Sequence, residues 1–352
     1  MDNDRIVSQD ELILVTGANG FIGSKVVETL LSYGFCNVRC FARPTSNIEK
    51  LNKIIATSKT ANIEVTKGNL LSPEDCRKAI SGVSIIFHVA AGTERTFAGC
   101  FMNSVVTTRN LLESVLQHRL LKRFVNISSF AVYSNLKERR HRALDETCEL
   151  ESQFMQRDGY CFGKSKQDEL LIEYSKKYRI PHVILRPGVV YGPGAKGAIH
   201  SRVGTATFGI FLHIGGSNRL PLTYIDNCAD AIVLAGIKAG IDGEVFNIVD
   251  DDPPSSRRFL KMYKKHVKYF RSIDVPFRVF YAFCYLWEKY SYWSGGQLPL
   301  VFDRRICASL WKTRRYSNNK LKSSVGWRPR ISSAEGLMRH FEYFKKMESP
   351  HA

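Results

Sequence analysis

The most constraining feature of this chain is a glycine-rich turn between an apolar run and a helical pattern. Residues 12–15 form the apolar run, and Gly17, Gly20 and Gly23 follow at intervals of three residues. The first glycine permits a tight turn, the second allows close approach of a pyrophosphate, and the third lets helix and strand pack closely. The positive helix N terminus favours the diphosphate. The turn therefore predicts a dinucleotide-binding unit, with an ordinary tight turn as the alternative.

Strand and helix patterns alternate up to Leu185 and, after glycine-rich connections, return at 226–249, which predicts a Rossmann-type, doubly wound parallel α/β sheet. We assign residues 1–190, together with 223–250, to a dinucleotide-binding domain. Residues 191–222 and 251–352 are assigned to a smaller C-terminal substrate lobe. The predicted strands are 12–15, 37–41, 63–66, 85–89, 123–127, 182–185 and 245–249, and the predicted helices are 72–80, 105–116, 164–178 and 226–239.

The C-terminal lobe is basic and aromatic. The chain has 51 Lys and Arg against 33 Asp and Glu, and 21 of these basic residues but only 8 of the acidic ones follow Asp250. Residues 277–293 contain nine aromatic side chains. They predict either a helix packed on the lobe, a wall of an apolar pocket, or peripheral contact with an anionic membrane. Nucleic acid is not expected as a partner, because no recognition module is present.

Several other classes of protein are disfavoured. The nine cysteines are scattered without a Cys-x-x-Cys pair, so neither a zinc site nor a disulfide framework is expected. Residues 1–11 are polar and acidic, unlike a signal peptide. No apolar run reaches the roughly 18 residues of a spanning helix. We therefore expect a cytoplasmic protein without a metal, and membrane association remains open.

The residue after the second predicted strand bears on the choice of cofactor. Many dinucleotide folds carry an acid there, which binds the ribose 2′-hydroxyl. This chain has Arg43. A guanidinium can bind a 2′-phosphate, which a carboxylate would repel. NADP(H) is therefore favoured and NAD(H) remains an alternative.

A tyrosine and a lysine lie four residues apart, at Tyr160 and Lys164, so they share one face of a helix. A free phenol with a pKa near about 10 transfers protons poorly at neutral pH, and a nearby ammonium favours the phenolate. Upstream, Ser128 and Ser129 follow a strand at the edge where such sheets bind ligands. These residues could hold and protonate a carbonyl group.

Together these motifs resemble the extended short-chain dehydrogenases/reductases, the NAD-dependent epimerase/dehydratase superfamily. The resemblance runs in order from about Leu12 to Val249. It is carried by Thr16-Gly17-Ala18-Asn19-Gly20-Phe21-Ile22-Gly23, His88-Val89-Ala90-Ala91, Ser128-Ser129 before Val132-Tyr133, Tyr160 with Lys164, and Leu185-Arg186-Pro187-Gly188-Val189-Val190-Tyr191-Gly192-Pro193.

The resemblance implies roles for individual residues. Tyr160 would be the general acid/base, Lys164 would hold the nicotinamide ribose and lower the tyrosine pKa, and Ser129 would orient the substrate. The residues implied in cofactor binding are Gly17, Asn19, Gly20, Phe21, Ile22, Gly23, Arg43, Asn69, Leu70, Ala90, Ala91, Tyr160, Lys164, Pro187 and Val190.

The chain departs from the family pattern at two places near the cofactor. The usual Gly-Asp after the third strand is Gly68-Asn69, and the usual Asn before the following helix falls on Ser104, with Asn103 one place early and Thr107 where Gly is common. Contacts to the cofactor ribose are therefore in question in that region.

The favoured function is an oxidoreductase that interconverts a ketone or aldehyde with an alcohol, similar to 3β-hydroxysteroid dehydrogenase-like and aldehyde- or ketone-reductase-like members. Arg43 disfavours the epimerases. Their usual diphosphate-binding arginine falls on Leu220 in this chain, and Arg219 lies one residue before that place. A nucleotide-sugar epimerase or dehydratase with bound NAD is the alternative, followed by a non-catalytic NADPH sensor. The resemblance leaves homodimer formation open.

Overall fold

A computed structural model describes residues 4–348 except 59–60, 95, 119, 135–142, 155–156, 208, 296 and 299–302. The described strands are β1 (Ile13–Thr16), β2 (Asn37–Ala42), β3 (Asn62–Lys67), β4 (Ile85–His88), β5 (Arg123–Ile127), β6 (His182–Pro187), β7 (Val189–Tyr191), β8 (Gly204–Thr207), β9 (Ile210–Ile214), β10 (Leu222–Tyr224), β11 (Val245–Ile248) and β12 (Ser272–Val275).

The described helices alternate with the strands up to β6, return as α7 before β11, and dominate the chain after β11. They are α1 (Phe21–Ser32), α2 (Glu49–Thr57), α3 (Pro73–Ile80), α4 (Phe97–Cys100), α5 (Thr107–Leu116), α6 (Gly159–Tyr178), α7 (Ile225–Ile237), α8 (Ser256–His266), α9 (Phe277–Trp293), α10 (Arg304–Trp311), α11 (Asn319–Val325) and α12 (Ser333–Glu348). Phe101–Val106 forms a π-helical segment between α4 and α5.

The centre of the fold is a seven-stranded parallel sheet in the order β3-β2-β1-β4-β5-β6-β11. Its central strands β1, β4, β5 and β6 are buried along their whole length, as expected for a sheet covered on both faces. Helices α1, α2 and α7 pack on one face. Helices α3, α5 and α6 pack on the other. The Rossmann-type doubly wound sheet predicted from the sequence is therefore confirmed.

The strand order reverses between β1 and β4, which pair with each other although two strands separate them in the chain. At such a switch point the loops after the two strands diverge to opposite faces and leave a crevice at the carboxyl edge of the sheet. The glycine turn follows β1, and Ala90 and Ala91 follow β4. The topology therefore brings these two predicted cofactor segments together.

Helix α6 begins earlier than the apolar pattern indicates. The sequence predicts its start at Lys164, whereas the helix begins at Gly159. Asp158 caps it, because its carboxylate accepts a hydrogen bond from the Cys161 backbone at 2.8 Å. The cap places Tyr160 in the first helical turn.

The smaller lobe contains two further sheets. Strands β7 and β10 form a parallel pair, and β9 pairs with β8 antiparallel and with β12 parallel. An apolar cluster joins these strands to α8 and α12. Helices α9 and α10 form an outer layer through Phe280, Cys284, Cys307 and Trp311.

Part of the C-terminal segment packs on the Rossmann core rather than on the lobe. Leu321, Val325 and Trp327 belong to the apolar cluster that α1 and α7 share with the sheet. The Trp327 indole donates a hydrogen bond to the Asn227 carbonyl at 3.2 Å. The predicted lobe, residues 251–352, therefore includes a stretch that completes the core of the other unit.

Helix α9 buries little of its surface, since only Phe280, Cys284 and Ser291 are buried among its 17 residues. None of its residues lines the cavity at the sheet edge described below. Its aromatic residues thus form a packed helix with one exposed side. Among the described helices, none has the length and apolar character to cross a membrane.

Candidate active site

The glycine turn forms a cradle at the N terminus of α1. Gly17 has a φ of 66°, and a Cβ on it would lie 3.0 Å from the Ala90 backbone. A Cβ on Gly23 would lie 2.1 Å from the Gly17 carbonyl oxygen. No side chain caps α1, and its first turn carries no acidic residue. Its first backbone N–H groups therefore suit the oxygens of a diphosphate.

A cavity of about 380 Å³ extends from this cradle across the ends of β2 and β4. It contains most of the residues for which the sequence predicts cofactor binding. Arg43 is exposed at its rim, directly after β2. The predicted residues that line this cavity are Gly17, Asn19, Gly20, Phe21, Ile22, Gly23, Arg43, Asn69, Leu70, Ala90 and Ala91.

The residues that depart from the family pattern divide into two groups. Asn69, Asn103 and Thr107 line the cavity. Ser104 is buried behind it, where its hydroxyl accepts a hydrogen bond from the Gly92 backbone at 2.9 Å. Ser104 therefore shapes the loop after β4, and its neighbour Asn103 presents an amide to the cavity.

A second cavity of about 600 Å³ continues from the first, with Phe21, Ile22 and Ala91 lining both. The predicted catalytic residues Ser129, Tyr160 and Lys164 line it, as do Pro187 and Val190. The fold thus brings every site residue predicted from the sequence to one continuous crevice at the carboxyl edge of the sheet.

The two adjacent serines have different environments. Ser128 is buried, and its hydroxyl donates a hydrogen bond of 2.7 Å to Asp168, a carboxylate that also accepts from Asn126 and pairs with Arg186. Ser129 is only partly buried, and its hydroxyl accepts a hydrogen bond from the Ala131 backbone at 3.1 Å. Both serines line the cavity with Tyr160, but the Ser128 hydroxyl is engaged by a buried carboxylate, so Ser129 is the better candidate to act together with Tyr160.

The Tyr160 phenol is partly buried against Ser129. Burial raises its pKa above the ordinary value, because the phenolate loses hydration, and the nearby Ser129 hydroxyl lowers the pKa in part. The resemblance implies a pKa lowered by Lys164. In the structure desolvation has the larger effect, so the phenol is protonated at neutral pH and suited to donating a proton.

Lys164 is buried, with 3% of its surface exposed. Its Nζ donates hydrogen bonds to the Ile127 carbonyl at 2.5 Å and to Gln167 Oε1 at 2.9 Å. Burial lowers its pKa to about 8, and the Asp168 carboxylate partly opposes that shift. The ammonium therefore remains mainly charged at neutral pH but titrates close to it.

A buried polar chain connects Lys164 with the glycine turn. Gln167 donates to the Thr108 hydroxyl at 2.8 Å, and His88 bridges the hydroxyls of Thr108 and Thr16 at 3.0 and 2.8 Å. Burial lowers the pKa of His88 to about 3, so its ring is neutral. The Ala90 backbone donates to Thr16 at 3.3 Å. Sequence reasoning gave no role to Gln167, Thr108 or Thr16, because Gln167 meets Thr108 across 59 residues and Thr16 meets His88 across 72 residues.

The wall opposite the sheet is apolar and also carries two arginines that the sequence did not single out. Arg202 donates to the Ser309 carbonyl at 2.7 Å, and Arg157 donates to the Ala131 carbonyl at 2.7 Å. Desolvation lowers the pKa of Arg202, and the positive charge of Arg157 adds to the effect. The apolar wall consists of Phe130, Ala131, Val189, Pro221, Ile306 and Leu310.

Arg219, the candidate for a diphosphate contact, lies away from this cavity. It is exposed, and its guanidinium donates to the Pro253 carbonyl at 3.4 Å. It does not line the cavity that holds Tyr160. Leu220, its neighbour, is buried in the lobe cluster.

Comparison with known proteins gives one family and several distant relatives. The model of the NAD dependent epimerase/dehydratase family matches residues 13–249. The chain is 21% identical to 3beta-hydroxysteroid-dehydrogenase/decarboxylase isoform 1 of Arabidopsis thaliana, with 98% of this chain and 82% of that protein covered. It is 28% identical to a decarboxylating sterol-4-alpha-carboxylate 3-dehydrogenase of Candida albicans, with 92% and 95% covered.

Solved structures share the fold. UDP-glucuronic acid 4-epimerase from Bacillus cereus in complex with NAD superposes with a TM-score of 0.71 at 23% identity. The superposition covers 96% of this chain and 99% of that chain. At this level of sequence identity, the structural similarity shows a shared fold only.

Proposed function

This chain belongs to the NAD-dependent epimerase/dehydratase family, and from that premise we propose that it is an oxidoreductase that interconverts an alcohol with a ketone or aldehyde and prefers NADP(H). One observation carries the proposal: Ser129, Tyr160 and Lys164 line a cavity continuous with the dinucleotide cradle. Residues 1–190 and 223–250 would bind the cofactor. The substrate would lie between them and the lobe formed by 191–222 and 251–352.

The residues present fit a dinucleotide, since the cradle has no room for a Cβ at Gly23 and α1 has an uncapped N terminus. When bound, the nicotinamide supplies or accepts the hydride. In the reducing direction Ser129 holds the carbonyl oxygen with a hydrogen bond, and Tyr160 donates the proton to it. The reverse oxidation uses the same two hydroxyls, with Tyr160 accepting the proton.

Lys164 supports this proton transfer from the buried side of the site. Its ammonium is fixed by the Ile127 carbonyl and Gln167, so its direction is set before any ligand binds. The positive charge favours the phenolate that Tyr160 becomes after donating its proton. The third N–H of the ammonium is the group that we assign to the nicotinamide ribose.

The preference for NADP(H) rests on Arg43. It directly follows β2 at the rim of the cavity and is exposed. A guanidinium here binds a 2′-phosphate with charge-assisted hydrogen bonds. NAD(H) would lack that contact.

The form of the cavity supports an apolar substrate with an acidic group. Arg157 and Arg202 line the cavity beside apolar side chains; Arg157 lies 4.0 Å from the Asp158 carboxylate, whereas within the described residues no carboxylate forms an ion pair with Arg202. A partly buried guanidinium without a carboxylate favours an anionic ligand. The name of the 28% identical relative specifies a sterol carboxylate, which combines an apolar body with an acid.

The nucleotide-sugar alternative has less support. Arg43 occupies the place where an acid would bind the ribose of NAD, and Arg219 is turned to the Pro253 carbonyl. A cofactor sensor without turnover has no use for Ser129 and Tyr160 on the cavity wall.

Cofactor preference is tested by titrating the cofactor-stripped protein with NADPH and NADH. We expect Arg43→Asp to weaken NADPH binding about tenfold or more while NADH binding changes little. Arg77→Asp, an exposed arginine on α3, is the matched control. Tightly held NAD in the untreated preparation, together with no NADPH preference, would contradict the proposal and favour an epimerase.

Catalysis is tested with Tyr160→Phe on a panel of apolar ketones and alcohols. We expect turnover to fall about a hundredfold or more, while the Kd for NADPH remains nearly unchanged. If the wild type binds NADPH but turns over none of the panel, so that it does not differ from Tyr160→Phe, the result would favour a non-catalytic NADPH sensor.

The acidic group of the substrate is tested by comparing an apolar hydroxy acid with its methyl ester. We expect Arg202→Met to raise KM for the acid about tenfold and to leave KM for the ester unchanged. Arg328→Met, an exposed arginine remote from the cavity lining, is the control. Equal effects on acid and ester would assign Arg202 a structural role only.

A further inference from the structure

Exposed apolar side chains concentrate in one short part of this chain. Among the described residues 16 large apolar side chains are exposed, and nine of them lie within 25 consecutive residues. Apolar residues scattered singly on a surface are ordinary, whereas a contiguous group marks a contact surface. The nine are Tyr269, Ile273, Val279, Phe283, Tyr285, Leu286, Tyr290, Tyr292 and Trp293.

Five of these side chains form a line along α9, which we call the α9 stripe: Val279, Phe283, Leu286, Tyr290 and Trp293. Their spacing of four, three, four and three residues places them on one helical face. Leu286 is 65% exposed and Trp293 is 80% exposed. The α9 stripe therefore faces solvent along the whole helix.

The opposite face of α9 is occupied. Phe280 meets the ring of Trp311 on α10 edge-on at a centroid distance of 5.3 Å, and Cys284 packs in the same cluster. Burial of that face anchors the helix to the lobe. The exposure of the stripe is thus a property of a folded, packed helix.

The charges around the α9 stripe are positive. Arg278 and Lys289 are exposed on α9. Glu288, the acidic residue of the helix, is neutralised by Arg304, whose Nε lies 2.7 Å from its carboxylate. The helix therefore presents apolar and cationic groups together.

A basic cavity of about 650 Å³ adjoins the start of α9. Ser272 and Asp274 of β12 line it, and α9 begins at Phe277. The carboxylate of Asp274, which lines this cavity, lies 2.6 Å from His213 Nδ1. The cationic lining comes from α8 and comprises Arg257, Lys261, Lys264 and Lys265. This cavity suits a phosphate-bearing headgroup.

We propose that the α9 stripe and the basic cavity beside it dock this protein on the surface of an anionic phospholipid bilayer. Aromatic side chains with a polar end, such as Trp293 and Tyr290, suit the boundary between headgroups and acyl chains. The lysines and arginines of α8 attract anionic headgroups. A symmetric contact between two copies would bring these cationic surfaces together, which the charge opposes.

Docking in this orientation places the candidate active site close to the bilayer. Helix α10 lies between the α9 stripe and the cavity, with Trp311 packed on α9 and with Ile306 and Leu310 lining the cavity. An apolar substrate dissolved in the bilayer would have a short path to Tyr160. This consequence rests on the proposed function, whereas the docking itself does not.

The docking is tested by sedimenting the full chain with vesicles of phosphatidylcholine alone and with vesicles containing about one-third phosphatidylglycerol. We expect binding to the anionic vesicles that weakens as salt is raised. Leu286→Glu should lower that partitioning about tenfold or more, because a carboxylate would enter the apolar boundary. Leu120→Glu is the matched control, since Leu120 is a leucine with 64% exposure at the start of the segment leading to β5.

The basic cavity is tested separately with Lys261→Glu/Lys265→Glu against Lys176→Glu/Lys177→Glu on α6. Both pairs are exposed and change the net charge equally. We expect only the first pair to abolish binding to anionic vesicles. Free phosphate at the ionic strength of the assay should not compete, because the headgroup and the stripe act together; full competition by phosphate would reduce the cavity to a site for free anions and overturn the proposal.

Two further outcomes would also overturn the docking. One is a failure of the vesicle-binding result itself: either the wild type binds neither kind of vesicle, or the Leu286→Glu variant binds anionic vesicles as strongly as the Leu120→Glu variant does. The other is a dimer of the wild type in gel filtration that Leu286→Glu converts to a monomer, which would assign the α9 stripe to a second copy. NADPH titration of each variant separates these results from a failure of the proposed function, because docking variants should bind NADPH normally.

Discussion

At the residue scale, the candidate site depends on how hydrogen bonds replace the hydration that the Lys164 ammonium loses on burial. Lys164 loses most of its hydration, and its pKa falls to about 8. The Ile127 carbonyl and Gln167 accept its hydrogen bonds and retain it in one direction. The ammonium charge that we propose to assist Tyr160 is therefore present at neutral pH and is lost under mildly alkaline conditions.

This balance predicts the pH dependence of activity. A lysine whose pKa is lowered is charged below that value, so kcat/KM for the cofactor should fall as pH rises through about 8, because this parameter reports the free enzyme. Lys164→Arg keeps the charge at higher pH, and we expect the alkaline fall to move upward even though the maximal rate is lower.

The measurement is the pH profile of kcat/KM for wild type, Lys164→Arg and Lys166→Arg. Lys166 is a partly exposed lysine two residues away on the same helix and serves as the control. An alkaline fall near pH 8 that persists in Lys164→Arg would assign that titration to another group.

Residue types and spacing identified Tyr160 and Lys164, because a phenol and an ammonium four apart on a helix share a face. The choice of Ser129 over Ser128 came from the resemblance. In the fold Asp168 supports that choice, because its carboxylate accepts the Ser128 hydroxyl at 2.7 Å and does not engage Ser129. No local pattern indicates Asp168, because it lies 40 residues from Ser128.

At the element scale, the unit of β1, the glycine turn and α1 has little room for side chains larger than hydrogen at its glycines. Gly20 precedes α1 and offers no side chain to cap it, and Gly23 packs directly on the Gly17 carbonyl. The close packing leaves the helix N terminus open to an anion. Because the constraint is local, the sequence alone indicated it.

Gly23→Ala should disrupt this unit. The new Cβ would lie 2.1 Å from the Gly17 carbonyl oxygen, so the turn must shift away from the diphosphate. We expect the Kd for NADPH to rise about tenfold or more and the thermal midpoint to fall. Fluorescence titration and thermal unfolding measure both.

Gly197→Ala provides the control for that substitution. A Cβ at Gly197 meets nothing within 4 Å, so NADPH binding should be unchanged. If Gly23→Ala binds NADPH as tightly as Gly197→Ala does, the close packing of the turn does not govern cofactor binding.

At the scale of the whole molecule, the C-terminal segment joins the two units. It leaves the lobe after α10, contributes Leu321, Val325 and Trp327 to the Rossmann core, and returns to the lobe as α12. The core that supports the cofactor cradle is thus completed by residues more than 300 positions along the chain. Loss of these contacts should destabilise both units together.

Trp327→Ala tests this coupling. The side chain is fully buried, so its truncation should lower the free energy of unfolding by about 3–5 kcal/mol. Trp293→Ala removes a tryptophan that is 80% exposed, and the expected change is within about 0.5 kcal/mol. Urea unfolding followed by far-ultraviolet circular dichroism compares the two. Equal stability of both variants would show that the segment is not part of the core.

The sequence by itself determined the fold class, the order of the core elements and the residues that line the crevice proposed to bind the cofactor. These features depend on local periodicity, on glycines that only one kind of turn accepts, and on the rule that parallel strands gather their carboxyl ends at one edge. The confirmed seven-stranded sheet follows from them.

Only the tertiary structure decided which groups face one another across long separations in sequence. It placed Asp168 against Ser128, Gln167 against Thr108, and Trp327 in the Rossmann core. It also left the α9 stripe exposed while burying the opposite face of that helix. The physical reason is that burial and pairing depend on the packing of the whole chain, which local periodicity does not specify.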